Sequence, residues 1–337
     1  MQNLAALKEK LNLPKRIVIT THVKPDADAL GSSLGLAGYL LKRGHQVCVI
    51  TPTDYPEFLN WMDGNEDVMI FEGNEEKAQY LVENADLVFC LDFSSLSRIG
   101  ALGELVRQSE AEKVLIDHHL NPETFAQYVL WSTEAAATAE LIFDLIEMLD
   151  DVEKITKGMA EALYAGLMTD TGNFKLPATT PHVHNIVAAL MELGADVSKV
   201  SHCVYDDNSL DRMKMLGFAL SERLEVIEGS TVAFFYLTLE DKKRFNYQTG
   251  DSEGLVNYGL AVKGVNVSAI FIEEEKNVKI SFRSFGDIPV NEISRKYFNG
   301  GGHKNAAGGA SFDDLQTTIN KFKDLVQNQI KELNYEA

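Results

Sequence analysis

Four apolar runs in the first 120 residues, RIVITTH, HQVCVIT, ADLVFCLDF and KVLIDHH, alternate with segments whose apolar residues recur at helical spacing. This alternation restricts the chain to a parallel sheet with helices on both faces, because parallel strands need long crossover connections and a helix is the usual crossover. Residues 29–42, ALGSSLGLAGYLLK, predict one such helix ending at Gly44, and residues 99–108 predict a shorter one. Residues 134–204 then read as mostly helical, with a long helix expected over 210–224. Beyond 224 the pattern changes to paired strands, RLEVIE with TVAFFYL and VNVSAIFIEEE with NVKISFRSF, around turns at Gly229-Ser230 and Lys276-Asn277. The 337 residues therefore divide into an α/β domain and a smaller α+β domain, each large enough for its own core.

Charge and composition narrow the function. A formal net charge of −19 opposes a broad footprint on long nucleic acid, which needs clustered Lys and Arg. No stretch approaches the roughly 20 apolar residues of a membrane span. The N-terminal MQNLAALKEKLNLPK lacks the apolar centre of a signal peptide, so a cytoplasmic location is expected. Cys48, Cys90 and Cys203 are widely spaced and read as reduced thiols.

The polar residues that close the apolar runs carry the chemistry. They are His22, Asp26 and Asp28 in THVKPDAD, Asp92 in VFCLDFSS, the triplet Asp117-His118-His119, and Asp170 in LMTDTGNF. Singly each has an ordinary explanation: Asp26 and Asp28 can cap the following helix, and Asp92 can form a turn with Ser94 and Ser95. Together, acids and imidazoles at the carboxyl edge of a parallel sheet predict a site for two metal ions. An acid that ends a buried strand is costly unless something compensates its charge. Gly31, Gly35 and Gly38 are expected to permit close helix packing, His182 and His184 to lie on the surface, and Trp61, Phe234, Phe235 and Tyr236 to belong to cores. The segment NGGGHKNAAGG, residues 299–309, predicts glycines ahead of a short helical stretch whose amides approach an anion.

His22-x-x-x-Asp26-x-Asp28, the lone Asp92, the Asp-His-His triplet and the later Asp170 resemble, in order and separation, the four motifs of the DHH phosphoesterases. The C-terminal half resembles the DHHA1 domain through its Ser281–Ser284 strand and the GGGH loop ending at His303. The resemblance implies a catalytic metal-binding domain over residues 1–190, a helical linker over 191–222 and a substrate-binding domain over 223–337. It assigns His22, Asp26 and Asp92 to one ion and Asp28, Asp92, His118 and Asp170 to the other, so that Asp92 bridges. It also places His119 against the scissile phosphate, makes Asp117 the residue that orients the histidines, and gives substrate contacts to Ser281, Arg283, Gly301, Gly302 and His303. Apart from the resemblance, Arg98, six residues after Asp92, is positioned to reach a phosphate, although an exposed arginine at a helix start is equally ordinary. Mixed oxygen and imidazole ligands favour Mn²⁺ over Mg²⁺. The implied substrates are very short RNAs, linear dinucleotides such as pApA, and pAp, with no long duplex and no membrane as partner and a homodimer as a candidate assembly. A nucleotide-binding protein without turnover and an enzyme acting on longer single strands are the alternatives. A phosphatase of the haloacid-dehalogenase type fits poorly, because there the first acid follows its strand immediately, whereas VKP intervenes here.

Overall fold

In the computed structural model of the chain, which describes residues 1–329, the first sheet contains six strands. They are β1 (Arg16–Thr20), β2 (Gln46–Thr51), β3 (Met69–Ile70), β4 (Leu87–Leu91), β5 (Glu112–Asp117) and β6 (Tyr128–Trp131). The order is β3-β2-β1-β4-β5-β6, every pair is parallel, and the two short strands at the edges are additions to the four read from sequence. Successive side chains leave opposite faces of the sheet. Ile17, Ile19, Phe89, Leu91, Val114 and Ile116 enter one core with the helices Ala27–Lys42, Thr138–Met148 and Lys157–Asp170. Val18, Val88, Cys90 and Leu115 enter a second core with the helices Glu75–Glu83 and Ala101–Gln108. The result is the expected sheet between two helical layers. The strand order reverses at β1, with β2 on one side and β4 on the other, and this switch point opens a crevice at the carboxyl ends of β1 and β4.

The helix carrying Asp28 packs tightly on the helix ending in Asp170. A Cβ on Gly31 would stand 2.3 Å from the carbonyl oxygen of Ala162, and one on Gly35 would stand 2.8 Å from the Leu163 side chain. The glycines at 31, 35 and 38 thus serve helix contact, as expected, rather than a dinucleotide. Because the obstacle at Gly31 is backbone, Gly31→Ala should overpack this contact and lower stability by about 1–3 kcal/mol. Urea unfolding would read this as a lower midpoint, and an unchanged midpoint would contradict the packing account.

The chain separates into a first unit ending at Asp207 and a second beginning at Asn208, a division that falls inside the segment 191–222. That stretch is not a uniform helix: Pro181–Glu192 and Val197–Ser201 are followed by a π-helical turn, His202–Asp206. The helix expected over 210–224 runs as α-helix over Leu210–Phe218 and closes in a second π turn, Ala219–Arg223.

The second unit holds a mixed sheet of β7 (Leu224–Val226), β8 (Val232–Leu237), β9 (Val267–Glu273), β10 (Val278–Ser284), β11 (Gly301–His303) and β12 (Ala306–Ser311), in the order β11-β12-β10-β9-β8-β7. Phe234, Phe271, Phe282, Phe298 and Phe322 fill one face, and Phe235 is buried on the other. The glycine-rich segment departs from expectation, forming the antiparallel hairpin β11–β12 rather than leading into a helix. A Cβ on Gly300 would lie 2.0 Å from the Gly308 carbonyl oxygen, and Gly302 adopts φ 131°, so these glycines let two strands close on each other. The expected helix-terminal amides are therefore absent from this segment. Residues 330–337 of the expected C-terminal domain lie outside the described residues.

Candidate metal centre

Each predicted residue of the first unit reaches its position by a different local device. His22 lies two residues beyond β1, and its Nδ1 meets the Val23 carbonyl at 2.9 Å, which leaves Nε2 toward the acids. Asp26 is the N-cap of the Ala27–Lys42 helix: its Oδ1 accepts from the amides of Asp28 and Ala29 at 3.1 and 3.0 Å. Its other oxygen, Oδ2, lies 3.9 Å from His22 Nε2, so one carboxylate both caps the helix and faces the site. Asp28, in the first turn of that helix, is fully buried and accepts from the amides of Thr138 and Ala139 at 2.6 and 2.9 Å. Gly166 makes room for it, since a Cβ there would stand 2.6 Å from Asp28 Oδ1.

Asp92 follows β4 with a left-handed φ of 64°, a conformation that Asp tolerates better than most residues. It forms no turn with Ser94 or Ser95 among the described hydrogen bonds; instead Oδ2 lies 3.4 Å from His22 Nε2 and Oδ1 lies 3.4 Å from His118 Nε2. His118 Nδ1 meets the Ala135 carbonyl at 3.2 Å, and His118 Nε2 is also 3.4 Å from Asp170 Oδ2. Asp170 is the last residue of the Lys157–Asp170 helix and so reaches the site from a helix end, not a strand end. The carboxylate of Asp117, at the end of β5, is fully buried and holds His119 Nδ1 at 2.8 Å. Asp117 therefore orients His119, while the carbonyl of Ala135 faces the Nδ1 of His118.

Asp92 belongs to three donor triads, one with His22 and Asp26, one with Asp28 and His118, and one with Asp117 and His119. Among the described residues only histidines come within ion-pair distance of Asp26, Asp28, Asp92, Asp117 or Asp170. The titration directions express this crowding. Burial and then the charge of Asp92 push the Asp28 carboxyl well up, and burial and then Asp28 do the same to Asp170. Burial also disfavours charge on Asp92, but His118 and His22 on either side outweigh it and hold its carboxyl well below the usual range. Burial disfavours a charged His22 as well, yet Asp92 and Asp26 carry its pKa up to about 9. Such a donor set, rich in negative charge and poor in fixed cations, fits divalent metal ions.

In the second unit, Ser281, Arg283, Gly301 and His303 share one face of the sheet, since Gly308 pairs with both Ser281 and Gly301, and Ala306 with both Arg283 and His303. Gly302 pairs with the buried Ala307 and belongs to the opposite face. The Arg283 guanidinium donates to the Phe282 carbonyl at 3.0 Å. Arg98 is exposed at the end of a short 3₁₀ turn in the first unit. Of the surface histidines, His182 contacts Asp144 at 2.9 Å. Thr138 and Gly166, which shape the centre, carried no signal of their own in an alanine-rich and a helical run; only a polar residue starting a helix among alanines marks Thr138.

A parallel sheet with a switch point, acids on its carboxyl edge and a second mixed sheet define a two-part hydrolase-like architecture. Residues 16–167 match the DHH family N-terminal domain and residues 229–332 the DHHA1 domain, and the chain belongs to the DHH family. Over 326 residues it is 30% identical to the bifunctional oligoribonuclease and PAP phosphatase NrnA of Thermus thermophilus, covering 95% of this chain and 91% of that protein. The protein of the same name in Bacillus subtilis is 28% identical over 306 residues, with 90% of this chain and 91% of that protein covered. Among solved structures, an exopolyphosphatase-related protein from Bacteroides fragilis superposes with a TM-score of 0.91 at 37% identity, covering 95% of this chain and 94% of that one. No helix of the described residues is long and apolar enough to cross a membrane.

Raised titration points have a consequence for metal loading. In the metal-free protein His22 keeps its proton up to about pH 9, and His118, Asp28 and Asp170 are shifted upward as well. Ligation requires the deprotonated forms, so divalent ions should release protons on binding at pH 7, and their affinity should rise with pH as His22 and His118 lose their protons. Calorimetry of Mn²⁺ binding in buffers of different ionisation enthalpy measures the release; heats independent of buffer would contradict it.

Proposed function

We propose that the chain is a phosphoesterase that hydrolyses very short oligoribonucleotides, including linear dinucleotides such as pApA, to nucleoside 5′-monophosphates, and pAp to AMP. The observation that carries this reading is the shared Asp92, which presents one oxygen to each of two donor triads. The named activities of the Thermus and Bacillus relatives support the substrate class.

In this reading His22, Asp26 and Asp92 hold one divalent ion, and Asp28, Asp92, His118 and Asp170 hold the other, with Mn²⁺ the resident metal. Two such ions, when bound, supply Lewis-acid stabilisation of a phosphoryl oxygen and lower the pKa of water. The protein's own contribution begins with Asp117, which holds His119 Nδ1 at 2.8 Å and so fixes the tautomer that carries a proton on the bonded nitrogen. Acting as the imidazolium, with one proton held on Nδ1 by Asp117 and the second on Nε2, His119 donates from Nε2 to the scissile phosphate and passes that proton to the departing oxygen, which leaves the neutral ring protonated on Nδ1. In the second unit Arg283, with Ser281, Gly301 and His303 on the same sheet face, receives a phosphate of the substrate, Arg283 through a charge-assisted hydrogen bond, while Gly302 contributes by letting the hairpin close. Arg98 is a further phosphate contact. A net charge of −19 disfavours long strands, which restricts productive substrates to a few nucleotides.

A chromatographic time course with Mn²⁺ should show AMP released from pApA faster than mononucleotides from long RNA, together with conversion of pAp to AMP. Loss of outer-shell partners alone costs about 10–100-fold at metal sites, and Asp92→Asn, which removes the shared ligand, should cost more. Fully metal-loaded protein without turnover of any of these substrates would instead favour a nucleotide-binding role. His119→Ala should lower kcat by about 10²–10⁴-fold for substrates with poor leaving groups and much less for good ones. An equal loss across leaving groups would remove proton delivery from its role.

A further inference from the structure

We infer that Thr138 is the positioning residue for the shared carboxylate of Asp92, turning it so that one oxygen serves each ion position; this rests on the metal-site reading above. Thr138 is fully buried at the first position of the Thr138–Met148 helix, and its hydroxyl donates to Asp92 Oδ1 at 2.8 Å. Its backbone amide donates to Asp28 Oδ2 at 2.6 Å, and the next amide, of Ala139, donates to Asp28 Oδ1 at 2.9 Å. This helix has Ala137 at its N-cap and no side-chain cap of its own, so Asp28 satisfies two of its free amides. One helix start therefore holds two carboxylates that arrive from separate elements, Asp92 after β4 and Asp28 from the Ala27–Lys42 helix.

The hydroxyl differs in kind from the two imidazoles nearest Asp92, those of His22 and His118. His22 and His118 face Asp92 through Nε2, the atoms that would turn to a metal ion, so their contacts with the carboxylate do not persist once the ions are ligated. The Thr138 hydroxyl carries no charge in either state and keeps its bond. It also draws Oδ1 toward the side of the site where His118 and Asp28 stand, which leaves Oδ2 facing His22. Behind it, the Glu140 carboxylate accepts from the Ala136 amide at 2.7 Å, in the same short segment whose Ala135 carbonyl meets His118. The segment 135–140 is thus a frame for the centre rather than merely a helix entry.

The test compares Thr138→Val, which keeps the side-chain shape but deletes the hydroxyl, with Thr138→Ser, which keeps the hydroxyl. Thr138→Ala serves as a second hydroxyl-free variant should valine fail to fold. Mn²⁺ binding is measured by calorimetry, kcat and KM on pApA at saturating Mn²⁺, and unfolding on the metal-free proteins. The hydroxyl-free variants should bind Mn²⁺ about 10–100-fold more weakly and lose kcat, with KM nearly unchanged, while serine restores both. Wild-type affinity in the folded hydroxyl-free variants, or a serine variant as impaired as they are, would overturn the assignment of Thr138 alone. Wild-type protein that binds no Mn²⁺ would overturn the metal-site reading and this inference together.

Discussion

Negative charge gathered where water is scarce is the constraint on which the rest of this structure depends. Asp28 and Asp92 are buried, Asp170 is half-buried, and among the described residues imidazoles are the only cationic groups within ion-pair distance of them. Such an arrangement is unfavourable as it stands, which is why two of the carboxyls titrate upward and His22 and His118 hold their protons. Divalent cations turn the same cost into affinity, so the centre trades stability of the empty protein for metal binding.

The fold exists around this point. Reversal of strand order at β1 places the residues after β1 and β4 beside each other, although some 70 positions separate His22 from Asp92 in sequence. Helix beginnings do the remaining work: the Ala27–Lys42 helix is capped by Asp26, and the Thr138–Met148 helix is capped by Asp28 from outside. Small residues let the Ala27–Lys42 and Lys157–Asp170 helices come close enough, with Gly31 against Ala162 and Gly166 against Asp28 itself. Position of the acids and close packing of the helices are the same structural fact seen from two sides.

Legibility in the sequence followed the strength of the periodic signal. The long apolar strands, the helix around 29–42 and the mostly helical stretch 134–204 were readable because burial on a sheet or helix face repeats over many residues. The strands at 69–70 and 128–131 were not, being two and four residues long at sheet edges. Residues 299–309 misled because glycine carries no hydrophobic period, and hairpin closure there depends on contacts with Gly308 and Ser294 that only the fold supplies. The acids of the centre were legible as a set, through their places at the ends of elements. Thr138 was not, because its function depends on a helix start meeting two distant carboxylates. Asp26 shows that capping and site membership need not exclude each other, since its two oxygens do different tasks.

The shared carboxylate is the centre of the account, and anomalous diffraction at the manganese edge from crystals grown with Mn²⁺ examines it most directly. Two peaks per chain, one beside His22 and Asp26 and one beside Asp28, His118 and Asp170, with an oxygen of Asp92 bound to each, are the predicted result. A single peak, or peaks that leave Asp92 unligated, would contradict it.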